Sequence, residues 1–293
     1  MKNIHPDDFK VTENFAITKV PTAFDLGTTN KQKKQALKET RKKLGALQDK
    51  MYANNRYSVL ICLQGMDTSG KDSLIKHVFK DFNARGVVVS SFKKPSLDEL
   101  RHDYLWRHYK ALPDKGKFGV FNRSYYENVL VTRVHPEYLL NEHLPGIEEV
   151  KDIPDNFWQQ RYKQINNFEE HLTQTGTIVF KFFLNIGKEE QRQRLLRRLD
   201  LESHNWKFDP ADLEERELWD EYRNYYGEAI NNTSKDNAPW YAIPADDKKT
   251  ARLIVATILL EELQKYNFHE PDVNDEVAEN IRAYKKALRD QAP

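Results

Sequence analysis

The run YSVLICLQG at residues 57–65 is apolar almost throughout, ends on a glycine, and gives way to a helical pattern at Lys71. A short continuous apolar run suits a strand buried on both faces, and the order strand, glycine loop, helix opens a parallel α/β unit. The same alternation then recurs. Strands are expected at 87–92, 119–122, 177–186 and 240–245, and helices at 71–82, 97–110, 124–133, 155–174, 188–201, 212–231 and 248–264. Five such alternations point to an α/β fold, a three-layer α/β/α sandwich around a parallel sheet. Upstream, Leu37, Leu44, Leu47 and Met51 mark an amphipathic helix over 31–52. Its other face, with Lys33, Lys34, Lys38 and Arg41, reads more simply as solvated surface than as an anion site.

The expected organisation is an N-terminal extension over 1–30 that wraps the surface, a main domain over 31–270, and a charged helical tail over 271–293. Charged helix and polar loop interrupt the alternation at about 190–216, the natural place for a lid. A chain of 293 residues is long enough to bury a core without staples, and its one cysteine, Cys62, permits no intrachain disulfide, which fits a reducing compartment. Forty-six basic and forty-five acidic side chains leave no bulk charge for nucleic acid or an anionic membrane, so any polyanion site must come from local clustering. The N-terminal residues lack a signal-like apolar stretch, and the longest apolar-rich run, 253–260, is too short to span a bilayer. A soluble cytoplasmic protein is expected.

The loop Gly65-Met66-Asp67-Thr68-Ser69-Gly70-Lys71 fits the frame G-x-x-x-x-G-K. Terminal glycines let the backbone turn its amides toward phosphate oxygens, the helix that follows offers its positive end, and Lys71 adds a mobile cation. The usual next residue is Ser or Thr; here Asp72 comes first and Ser73 second. Asp67 would repel phosphate unless a divalent cation lay between them, which nominates it as a Mg²⁺ ligand, with helix capping as the plainer reading. After the third strand comes Phe121-Asn122-Arg123-Ser124-Tyr125-Tyr126-Glu127. Residues at the carboxyl ends of parallel strands share one crevice, so Asn122 and Arg123 can reach the same phosphates. Arg123 supplies a planar fork, Glu127 one turn on can hold it in register, and Arg133 extends the positive wall; a surface ion pair is the alternative.

These segments carry a resemblance. GMDTSGKDSLIKHV, SFKKPS at 91–96, FNRSYYENVLVTRVHPE at 121–137, NWKFDPADLEER at 205–216 and APWYAIPADDK at 238–248 together resemble polyphosphate kinase family 2. The resemblance implies a P-loop kinase fold similar to thymidylate kinase, with a five-stranded parallel sheet and a helical lid. It also implies phosphoryl transfer between inorganic polyphosphate and adenine or guanine nucleotides with Mg²⁺ or Mn²⁺, in a homodimer or homotetramer. Asp67 and Lys71 match the Walker A pair and Arg123 the Walker B arginine. Asn122 stands where many relatives have Asp, similar to the class III subgroup that phosphorylates both mono- and diphosphates; its carbonyl oxygen is still a possible metal ligand.

On that footing Gly65, Thr68, Ser69, Gly70, Asp72 and Ser73 line the phosphate site. Arg192, Arg194, Arg197, Arg198 and Lys207 offer a polyphosphate track, unless they merely lace a charged helix with Glu189, Glu190 and Asp200. Lys93, Lys94, Arg101 and Arg107 are candidates for the acceptor nucleotide, whereas Trp206 and Trp240 read as packing residues. The competing reading is an ATP-dependent nucleoside monophosphate kinase.

Overall fold

The computed structural model describes residues 1–12, 14–200, 211–271 and 274–291. Five parallel strands form one sheet: β1 (Ser58–Gln64), β2 (Val87–Ser91), β3 (Phe118–Asn122), β4 (Thr177–Asn185) and β5 (Trp240–Pro244), in the order β2-β3-β1-β4-β5. The central strand β1 is buried along its whole length, as an apolar run between two helical layers must be. One layer holds α1 (Asn30–Asn54), α2 (Lys71–Val78) and α9 (Lys248–Gln264). The other holds α4 (Glu127–Val134), α5 (Phe157–Gln174) and α8 (Trp219–Thr233). Three shorter or peripheral helices complete the described chain: α3 (Trp106–Lys110), α6 (Lys188–Asp200) and α7 (Ala211–Glu217), with α10 (Asp275–Asp290) after the sheet domain. No described helix is long and apolar enough to cross a membrane.

Register sets where the chemistry can sit. Leu63 lies beside Asn122 and Gln64 beside Phe183, so β1 and β3 end nearly level, β4 runs two residues further, and their following loops share one rim. Under that rim runs a buried polar network. Lys181 on β4 donates to Glu169 Oε2 at 2.6 Å, to the Tyr126 hydroxyl at 3.0 Å and to the Thr233 carbonyl at 2.7 Å. Glu169 Oε1 accepts from the Tyr125 and Tyr126 hydroxyls at 2.8 and 2.9 Å. Burial pushes the Lys181 ammonium below the usual lysine range, and Glu169 pulls it back.

The strands and long helices sit where the pattern puts them, but the helix expected over 71–82 ends at Val78, and three others are cut. The stretch 97–110 holds only a 3₁₀ turn, Glu99–Arg101, before α3. There Ser96 and Glu99 exchange side-chain hydrogen bonds with each other's amides, and Asp103 accepts from the Leu105 amide; such local bonds compete with a helix. The helix expected from Ser124 starts at Glu127, because Arg123 is left-handed and the next residues form a turn closed by Glu127 N–H to Ser124 O. The helix expected over 212–231 divides at Leu218 into α7 and α8.

The first thirty residues do more than wrap the surface. Val11 donates to Trp240 O and Ala242 to Phe9 O, both at 2.8 Å, which lays this segment antiparallel along the outer edge of β5. Ile4, Phe9, Val11, Ile17 and Leu26 are buried. Further on, Thr22 accepts from the Asp246 amide and donates from its hydroxyl to the Asp246 carboxylate, while Asn185 donates to Val20 O and Pro21 O.

Candidate active site

The phosphate loop joins β1 to α2 and is held from three sides. Gly65 has φ +151°, and a Cβ there would meet Leu184 O at 2.8 Å, so only glycine lets the loop leave the sheet this close to β4. Its amide donates to the Tyr226 hydroxyl. Thr68 is left-handed at φ 58°, a costly conformation for a β-branched residue, and strain of that kind concentrates at functional sites. Lys71 folds back to donate to Gly65 O at 2.8 Å.

Three observations mark this loop as built for a ligand. The Thr68 and Ser69 hydroxyl oxygens are buried and have no hydrogen-bond partner among the described residues. The Met66, Thr68 and Gly70 amides likewise have no acceptor there. Across the rim, the Asn122 carbonyl oxygen is also buried and unpartnered, while its amide nitrogen donates to Asp72 Oδ1 at 2.6 Å.

Charges converge on the same place. Burial, then the Arg123 guanidinium, lowers the Lys71 ammonium from its usual range, against the pull of Asp67, Glu127 and Asp72. The Glu127 carboxylate, and more weakly Asp67, holds Arg123 more firmly protonated than usual. Arg123 itself is left-handed at φ 64°, a bend that turns the chain at the end of β3. Asp67, Lys71, Asp72, Asn122, Arg123 and Glu127 thus lie within electrostatic reach of one another at the rim. The oxygen donors there, the Asp67 carboxylate and the Asn122 carbonyl, suit a hard cation such as Mg²⁺ completed by water and phosphate oxygens. The described residues contain no cluster of three or more His, Cys, Asp or Glu able to hold a metal unaided.

Helix α6 packs one face onto the loop. Gln191 donates to Asp67 O at 3.2 Å, and Arg198 meets Asp67 Oδ2 at 3.4 Å. Arg194, expected on a polyphosphate track, is placed differently. It is 6% exposed, and its Nη1 donates to Thr68 O and Ser69 O, both at 3.0 Å. Its Nη2 donates to Ala245 O at 2.7 Å and Asp246 O at 2.8 Å, and its Nε to Glu190 at 2.7 Å. Every N–H is used, so Arg194 ties the back of the phosphate loop to the end of β5 and presents nothing to a polyanion.

Other expected contacts also find protein partners. Arg133 pairs with Glu228, donates to the Tyr162 hydroxyl and lies over the Tyr225 ring, joining α4, α5 and α8 rather than walling the crevice. Arg107 donates through both Nη atoms to Lys93 O at 3.0 Å, so it shapes the loop after β2 that carries the exposed Lys93 and Lys94. Arg101 is exposed; Ser73 accepts from Arg252; Arg192 and Arg197 pair with Glu189 and Glu190. Trp240 is buried and donates to Thr233, as a packing residue does. Lys207 and Trp206 lie outside the described residues, as does the middle of the expected lid.

Two cations escaped the sequence reading although one lies in a quoted segment. Lys248, at the start of α9, reaches within 4 Å of where a Gly70 Cβ would stand. Burial and then Arg194, Arg197 and Arg252 depress its ammonium to about 8. Arg252, one turn on, keeps a buried Nε with no partner among the described residues.

Comparison with known proteins agrees with this geometry. The family described as Polyphosphate kinase 2 matches residues 27–271. An ADP-polyphosphate phosphotransferase from Rhodopseudomonas palustris is 45% identical over 261 residues, 89% of each chain. An AMP/ADP-polyphosphate phosphotransferase from Meiothermus ruber is 44% identical over 230 residues, 78% of this chain and 80% of that one. The crystal structure of polyphosphate kinase 2 from Arthrobacter aurescens TC1 superimposes with a TM-score of 0.86 at 34% identity, covering 98% of this chain and 96% of that one. The α/β sheet with its phosphate loop is therefore a P-loop kinase fold, and the chain belongs to the polyphosphate kinase 2 family.

Proposed function

We propose that this protein moves the terminal phosphoryl group of inorganic polyphosphate onto a phosphate oxygen of AMP or ADP, giving ADP or ATP, in a direction that mass action can reverse. The observation that carries the reading is the charged cluster of Lys71, Arg123, Asp67, Glu127 and the Asp72–Asn122 pair beside a phosphate loop with unpartnered amides and hydroxyls. The names of the two curated relatives support the choice of polyphosphate and adenine nucleotides.

An acceptor phosphate is already largely ionised near neutral pH, so it needs little help from a general base. Alignment and charge neutralisation do the rest. The open amides of Met66, Thr68 and Gly70 cradle the donor phosphates, and Lys71 leaves its carbonyl partners to bind them. Arg123, oriented by Glu127, faces the equatorial oxygens of the moving group. Asp67 and Asn122 would hold Mg²⁺, or Mn²⁺ in its place, and the chemistry such an ion would supply is neutralisation of phosphate charge. Arg198, which pairs with Asp67, would contact the polyphosphate strand, and the exposed Lys93, Lys94 and Arg101 would meet the acceptor. Guanine nucleotides are accepted in the same way.

The deciding experiment supplies polyphosphate and Mg²⁺ with AMP, ADP or GDP in separate tubes and no ATP. Formation of the next higher nucleotide, abolished by chelator, is expected. No product until ATP is added as donor would return the competing monophosphate kinase reading. In the same assay Asp67→Asn should shift the metal requirement to higher concentration, and an unchanged metal titration would remove Asp67 as a ligand.

A further inference from the structure

Helix α10 has no buried residue, yet it carries Val277, Ile281, Tyr284 and Leu288 at intervals of four, three and four. These side chains are 44%, 42%, 71% and 68% exposed. A single file of large apolar groups at that spacing is one half of a coiled-coil seam. The charges around it are divided by position. The N-terminal half holds Asp275, Glu276 and Glu279, and the C-terminal half Arg282, Lys285, Lys286 and Arg289, with the single acid Asp290 at its end.

The stripe is symmetric about the point between Arg282 and Ala283. Val277 and Leu288 stand equally far from it, and so do Ile281 and Tyr284. A second copy related by a two-fold axis there sets the stripe against itself, and at the same time sets each acidic half beside a basic half. Parallel pairing would put like charges together. Ala278, Asn280 and Ala287, beside the stripe, are uncharged and small enough to let two helices approach. The mixed charge also disfavours an anionic lipid surface, which wants an unbroken basic face.

We propose that α10 is a homotypic docking surface, pairing antiparallel with α10 of a second copy of this chain. It lies beyond residues 27–271, so the contact is separate from the family-matched domain and its crevice. Eight side chains cover less than the roughly 1,200 Å² of a standard stable interface, so the pair is reversible and concentration-dependent. It makes a dimer of a monomer, or joins two assemblies formed through other surfaces.

The test compares the full chain with Ile281→Asp/Leu288→Asp by sedimentation equilibrium across a wide concentration range. The mass of the wild-type assembly should halve on dilution, and the variant should stay at the lower mass with unchanged activity per chain. A spin label on Glu276→Cys reads the orientation, because the two labelled positions lie about 20 Å apart along the axis in an antiparallel pair and side by side in a parallel one. Equal masses for variant and wild type, a short label distance, or sedimentation of the wild type with anionic vesicles lost in the variant would each overturn the proposal.

Discussion

Replacing Arg194 with alanine separates the role this structure gives it from the role its place on a basic helix suggests. The guanidinium makes four hydrogen bonds to the carbonyls of Thr68, Ser69, Ala245 and Asp246 and one to Glu190, from a position that is 6% exposed. Glu190 keeps a second partner in Arg197 at 3.4 Å, so most of the loss falls on the carbonyls. Charge-assisted bonds contribute about 1.5–3 kcal/mol each but do not add, and removing one member of a buried polar set costs about 3–5 kcal/mol in all. For a chain of this size that is a fall in melting midpoint of roughly 5–8 °C. The freed phosphate loop should lower kcat by about 10- to 100-fold, since small displacements of positioned groups are that expensive. The polyphosphate KM and its salt dependence should change little. Arg194→Lys should rescue neither quantity, because one ammonium cannot span two pairs of carbonyls. Thermal melts and steady-state rates at several salt concentrations decide the matter. A melting midpoint within about 2 °C of wild type, with a raised KM and a shallower salt slope, would show that Arg194 binds substrate and that the structural argument is wrong.

The Lys181 and Glu169 pair gives a second prediction: Lys181→Met should destabilise by about 3–5 kcal/mol, and adding Glu169→Gln, which keeps an acceptor for the two tyrosines, should recover at least 2 of them. Additive losses in a denaturant double-mutant cycle would contradict it. Lys248 gives a pH prediction. Its folded-state value of about 8 lies below the ordinary 10.5, so its unfavourable charge is fully present below pH 8 and is relieved as the pH rises toward 10.5. The stability of wild type relative to Lys248→Met should therefore climb across that window, and a flat difference would mean that the ammonium is not disfavoured where it stands.

Strands β1 and β4 were legible because an apolar run between helical patterns has few other fates, and α9 because its stretch without glycine or proline is too long for a strand. The phosphate loop was legible for a different reason, since glycine at fixed spacing answers a backbone demand that no other residue meets. Arg194 was not. Its carbonyl partners come from two distant segments, and a carbonyl is the same at every residue. On paper it is one of four arginines in the RQRLLRR stretch; only the fold distinguishes the one at position 194 from the solvent-facing Arg192 and Arg197. The early start assigned to α4 failed similarly, because a left-handed arginine leaves no signature in composition.

The strip of chain hydrogen-bonded outside β5 also acts as a stopper. Cutting the protein back to the stretch shared with its family would uncover the open amides and carbonyls of an apolar edge, where Trp240 and Ala242 now bond to Val11 and Phe9. A trimmed chain of that kind invites strand addition from its neighbours, and its first symptom would be precipitation rather than a lost activity.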